Sequence, residues 1–163
     1  DDHEALVTRP RDLQDNAVPS GNAMAATVLL KLAAYTGQAR YAETAERLLS
    51  RMQAQFAQYP TALGQWLTAF ELATAGIAEV AIVGDPDSPD ARALLEAAFD
   101  GFRPFQAVAL LRPGEASPIP LLEGRSQIEG RATAYVCRDF ACRAPTTDAE
   151  ELGRQLERPL SRA

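Results

Sequence analysis

The sequence predicts a mixed α and β fold: antiparallel helical hairpins followed by a small βαβ-containing sheet element. Three observations predict it. Apolar residues recur at three- and four-residue steps as far as Gly76. Two short β-branched runs follow, Ile77 to Val83 (IAEVAIV) and Phe105 to Leu111 (FQAVALL). A helical pattern from about Asp90 to Phe99 separates them, so the two runs read as parallel strands of one βαβ unit.

Each element has a local reason. Residues 1–19 carry neither period and include Pro10 and Pro19, so they read as an extended lead-in. Ser20 is an N-cap for a helix near 21–36. From Ala23 to Tyr35 (AMAATVLLKLAAY) that helix is apolar almost all round, which predicts burial on most sides. Only two partner helices follow it, so its surface calls for further helices from a longer chain or from a second copy. Gly37 suits a left-handed C-terminal position. A second helix, 40–58, sets Tyr41, Ala45, Leu48, Leu49, Met52 and Phe56 on one stripe, and Pro60 closes it. A third, 61–75, carries Leu63, Trp66, Leu67 and Phe70. Short connections make the three antiparallel neighbours. After the first strand, Asp87 or Ser88 caps the crossover helix. A Pro/Gly-rich loop spans 112–130, and a strand spans 133–138. Asp139-Phe140 is a turn into a return strand, 141–143. Thr147 with Glu150 forms a capping box that opens a last helix to about Leu156.

Composition narrows the function classes. Of 163 residues 47% are hydrophobic and 23% charged, which supports a packed core. Sixteen basic residues against 22 acidic give a net charge of -6, so non-specific nucleic-acid binding is disfavoured. His3 is the one histidine, leaving almost no material for Ser-His-Asp chemistry or a His-rich metal site. Nothing in the composition implies a cofactor. No apolar run approaches the roughly 18 to 20 residues of a membrane span. The start DDHEALVTRP has no signal-peptide pattern and no initiator Met, as in a processed chain or a piece of a longer one. A reducing, cytoplasmic compartment is the expected location. Two cysteines are too few for a disulfide-built secreted scaffold.

Three places could carry chemistry. Asp15 to Asn22 gathers a carboxylate, two amides and a hydroxyl where a buried helix begins. It reads either as a capped turn or as a site for an anion or a sugar hydroxyl. Gly84-Asp85-Pro86 ends a parallel strand, where ligands of open α/β sheets gather, but no G-x-G-x-x-G or P-loop pattern accompanies it. A plain turn is the simpler reading. Cys137 and Cys142 form C-x4-C across a turn, within reach of a disulfide and flanked by Arg138 and Arg143. They are either buried thiols or a redox-responsive pair. Trp66, Phe70 and Tyr135 read as packing residues.

Two motifs resemble a known family. The segment D-N-A-V-P-S-G-N (Asp15 to Asn22), its apolar helix, T-G and Y-x-x-x-A are similar to the spermatogenesis-associated protein 20 family. The tail AYVCRDFACRAPTTDAEEL resembles that family's C-terminal motif. The bacterial members are thioredoxin-domain-containing proteins. The resemblance implies a much longer protein: a thioredoxin-like domain followed by an (α/α)6 toroid like N-acylglucosamine 2-epimerases and six-hairpin glycosidases. This chain would be its C-terminal quarter, with 1–76 as hairpins of the toroid and 77–163 as a small α/β element packed on it. The resemblance places Asp15, Asn16, Pro19, Ser20, Gly21 and Asn22 at the barrel mouth, with Asp15 as a candidate acid/base and Asn16, Ser20, Gly21 and Asn22 as ligand-binding. Ala23 stands where Ser is common, which removes a hydroxyl. Two functions follow as expectations: a barrel that binds or acts on a carbohydrate-like small molecule, or a redox-linked scaffold in which Cys137 and Cys142 exchange with the thioredoxin-like domain. The partners implied are the rest of the parent chain or a second copy.

Overall fold

A computed structural model describes residues 12–138 and 141–157. His3, Pro10 and the Asp139-Phe140 turn lie outside the described residues. The elements in chain order are α1 (Gly21–Thr36), α2 (Ala39–Gln58), α3 (Gly64–Ala75), β1 (Ala78–Val83), α4 (Pro89–Phe99), β2 (Gln106–Leu111), β3 (Thr133–Arg138), β4 (Ala141–Cys142) and α5 (Ala149–Glu157). Single 3-10 turns at Pro60–Ala62 and Pro120–Leu122 complete the described elements.

The helix ends follow local chemistry. Ser20 Oγ accepts the Ala23 N–H at 3.1 Å, and Gly37 closes α1 at φ 64° with its N–H on the Ala33 carbonyl. Pro60 forces a 3-10 turn, so α3 begins at Gly64, later than the pattern suggests. Ser88 caps α4, with Pro89 at its first position. The last helix differs from expectation. Asp148, not Thr147, supplies the cap, because its Oδ1 accepts the Glu151 N–H at 2.8 Å.

The sheet order is β2-β1-β3-β4. β1 and β2 run parallel, with Val80 opposite Val108, and α4 lies in the connection between them. β1 pairs antiparallel with β3, and β3 with β4. Three apolar clusters hold this together. The first lies among α1, α2 and α3 and centres on Trp66, which is 1% exposed. The second packs Val80, Ile82 and Val136 of the sheet against Leu94 of α4 and Leu152 of α5. The third covers the other sheet face with Leu121, Leu122 and Tyr35. Tyr35 also donates its hydroxyl to the Val108 carbonyl at 3.2 Å, fastening α1 to β2.

The toroid expectation is overturned. The described residues form five α-helices and a four-stranded mixed sheet. Only α1, α2 and α3 build a helical layer. That layer stops at Ala75, where the chain passes into the sheet, and α4 and α5 pack their apolar faces on that sheet. One face of α1 has no cover among the described residues: Met24, Val28 and Leu32, one turn apart, are exposed.

The turn after β1 is crowded. A Cβ on Gly84 would lie 2.7 Å from the Ala132 Cβ and 3.0 Å from the Ala91 Cβ, so only glycine fits without a backbone shift. Asp90 fastens the same corner. Its Oδ2 accepts the Ala132 N–H at 2.7 Å and its Oδ1 the Ala91 N–H at 3.0 Å. The Ser88 hydroxyl, then these backbone donors, hold the Asp90 carboxyl below its ordinary value of 3.8. A carboxyl depressed on folding adds stability above its unfolded value and loses it as pH falls through the folded one. Asp90→Asn is therefore expected to be less stable than wild type at neutral pH, with the gap closing below about pH 4. Urea unfolding at pH 7 and at pH 3 measures both gaps, and equal gaps would contradict the assignment.

Candidate functional site

The lead-in to α1 is built around Asp15. Its two carboxylate oxygens accept the Ser20 and Gln65 N–H groups, each at 2.8 Å. These donors open α1 and α3, so a single carboxylate fastens two helix N-termini, where negative charge is favoured. The Asp15 N–H in turn donates to the Ala62 carbonyl, and the Trp66 indole N–H to the Leu13 carbonyl at 2.7 Å. The Asn22 amide donates to the Asp12 carbonyl at 3.1 Å, and the Ser20 hydroxyl is taken by the α1 cap.

A cavity of about 340 Å³ opens beside this segment. Asn16, Ser20, Gly21 and Asn22 line it together with Asp12 and Gln14, whereas Asp15 does not. The structure thus brings the four expected ligand-binding residues to one concavity and turns Asp15 toward the backbone. Replacing Asp15 with Ala would leave two helix-opening N–H groups without that acceptor. The expected cost is about 2–4 kcal/mol, read as a lowered urea midpoint. An unchanged midpoint would show the two bonds to be dispensable.

The cysteines form the second site. Cys137 and Cys142 face each other in the β3–β4 register and are joined as a disulfide. They are unequal in exposure: Cys137 is 3% exposed, while Cys142 lies on the exposed β4. The cation against them is Arg125. Its Nη2 donates to the Cys137 Sγ at 3.3 Å and to the Cys142 Sγ at 3.7 Å. The guanidinium also lies over the Tyr135 ring, 4.7 Å from its centroid. The Tyr135 hydroxyl donates to the Ser126 carbonyl at 2.7 Å and so holds the loop that carries Arg125.

Sequence reasoning missed Arg125. It named Arg138 and Arg143 as flanks, but the Arg138 guanidinium reaches the Ala75 carbonyl at the end of α3. Alternation along β3 sets Arg138 with Val136 on one face and Cys137 with Tyr135 on the other. Nothing in the spacing marks Arg125, which arrives from the Pro/Gly-rich loop.

The Gly84-Asp85-Pro86 turn holds surface ion pairs instead of a ligand cradle. Arg112 meets Asp85 at 2.7 Å and Asp87 at 3.7 Å, and Arg92 meets Asp87 at 3.5 Å. Phe70 packs edge-on against Phe56, with ring centroids 5.5 Å apart. Among the described residues, no group of three or more His, Cys, Asp or Glu side chains is placed to hold a metal ion. Nor is any described helix long and apolar enough to cross a membrane.

These features define a mixed α/β segment in which a three-helix layer joins a small sheet that ends in a cystine. The chain is homologous to spermatogenesis-associated protein 20. It is 31% identical over 156 residues to the proteins of that name from Homo sapiens, Mus musculus and Rattus norvegicus. Each match covers 93% of this chain and 20% of the relative, so the chain spans a fifth of the length of these relatives. No protein-family model matches the chain, and no solved structure is a significant match. Neither the fold nor the comparisons support an epimerase-like barrel or a carbohydrate ligand.

Proposed function

We propose that this segment serves its thioredoxin-domain parent as a redox-linked module, whose Cys137–Cys142 disulfide exchanges with the thiols of a partner dithiol. The observation that carries the reading is the disulfide's setting: one exposed cysteine, one buried cysteine, and a guanidinium against both sulfurs. An exposed disulfide is open to attack, and a nearby cation stabilises the thiolate that attack releases. A cytoplasmic location fits this reading, because a reducing poise keeps an exposed pair in reversible exchange.

The expected result is that the folded protein gains two titratable thiols when equilibrated with dithiothreitol and loses them on return to oxidised glutathione. Circular dichroism should stay unchanged throughout. If the thiols appear only in denaturant, the disulfide is a structural staple and the reading fails.

The uncovered α1 stripe belongs to the same reading. Met24, Val28 and Leu32 pack against further chain of the parent protein, as the much greater length of the relatives supports. By itself the chain is then expected to self-associate or to bind an apolar dye, and Val28→Glu should reduce both. Sedimentation as a single monomer at every concentration, without dye binding, would count against this docking.

A further inference from the structure

The geometry points to Arg125 as the residue that gives this disulfide its direction: a partner thiolate attacks Cys142, and Cys137 leaves as the thiolate held by Arg125. This rests on the exchange reading above.

Three observations carry it. First, thiol–disulfide exchange needs the incoming sulfur to reach one sulfur from the side opposite the other. Only Cys142, on the two-residue strand β4, is exposed, whereas Cys137 is buried. Second, the leaving sulfur carries the new charge. Arg125 Nη2 is nearer Cys137 Sγ, at 3.3 Å, than Cys142 Sγ, at 3.7 Å. Third, the guanidinium is held ready. It stacks over Tyr135, whose hydroxyl is bonded to the backbone of the next residue, Ser126. Its buried Nε has no hydrogen-bond partner, and no carboxylate among the described residues is within ion-pair distance of it. Its charge is therefore not already matched by a neighbour's.

The steps balance. A thiolate of the partner dithiol forms a bond to Cys142 Sγ, the Cys137–Cys142 bond breaks, and its electron pair goes to Cys137 Sγ beside Arg125. The partner's second thiol loses its proton and attacks its own sulfur in the mixed disulfide, releasing Cys142 as a thiolate that takes up a proton. Two electrons have passed from the dithiol to the cystine, and the partner leaves as a disulfide. A monothiol has no second sulfur, so with it the reaction pauses at an adduct on Cys142. That pause is the handle for the test.

The oxidised protein is mixed with glutathione, quenched with acid at early times, and mapped by mass spectrometry. The expected early adduct is on Cys142, with Cys137 recovered as the free thiol. The equilibrium constant for reduction by dithiothreitol is then compared for wild type, Arg125→Met and Arg125→Lys. Loss of the cation should lower that constant by about three- to tenfold, and lysine should restore most of it. A purely structural Arg125 would not give rescue by charge. Early adducts on Cys137, or equal amounts on both cysteines, would overturn the direction while leaving exchange intact. An unchanged constant in Arg125→Met would overturn the role of the cation. Failure of the folded wild type to react with either thiol would overturn the exchange reading itself, and this inference with it. The adduct map needs no variant, so it decides the direction even if Arg125→Met does not fold.

Discussion

Burial of β1 on both faces is the constraint around which the second half of the chain is arranged. Val80, Ala81 and Ile82 are fully buried in succession, which no strand with a solvated face allows. Such a strand needs partners on both sides in the sheet, and β2 and β3 supply them. It also needs an apolar layer above and below. The helices α4 and α5 form one, and Leu121, Leu122 and Tyr35 form the other. The close quarters fix residue size as well. Gly84, Ala91 and Ala132 meet where β1 turns toward α4, and the Asp90 carboxylate binds both alanine N–H groups across that corner.

Most of the elements were legible because their signals are local. Ser20 and Gly37 bracket α1 with chemistry that acts within one turn, and the β-branched runs IAEVAIV and FQAVALL mark the parallel pair. The toroid was not a reading of period or spacing at all. It came with the family resemblance, and the described residues show instead a three-helix layer joined to a four-stranded mixed sheet. The cap of α5 was misplaced by one residue because Thr147 and Asp148 are both good capping residues, and only the fold shows which side chain reaches the Glu151 N–H. The candidate sites divide in the same way. That Asn16, Ser20, Gly21 and Asn22 share a concavity follows from their closeness in sequence. The second partner of Asp15 is Gln65, 50 residues away, and Arg125 reaches Cys137 from the irregular loop that precedes β3, 12 positions back along the chain. No periodicity encodes either contact.

Asp15 and Arg125 show how differently two charged side chains are used. The Asp15 charge is matched at once by two backbone donors, so it organises the helical layer and has little left for a ligand. The Arg125 charge meets two neutral sulfurs and an aromatic face. Its electrostatic partner appears only when the disulfide opens. Neither cysteine belongs to any of the three apolar clusters, although Cys137 is itself buried at the edge of the sheet's core.

The Tyr35 hydroxyl has a bearing on how this protein behaves in a crowded solution. β2 is an outer strand of the sheet, and such a strand is a template on which foreign chain can add. The carbonyls of Phe105 and Leu111 accept the N–H groups of Ala78 and Gly84 on the β1 side, and alternation along a parallel strand turns the Val108 carbonyl outward. Tyr35 occupies that outward acceptor, and α1 comes with it. The joint between helical layer and sheet is therefore also a guard on the rim, closing the central position of β2 to strand-by-strand aggregation.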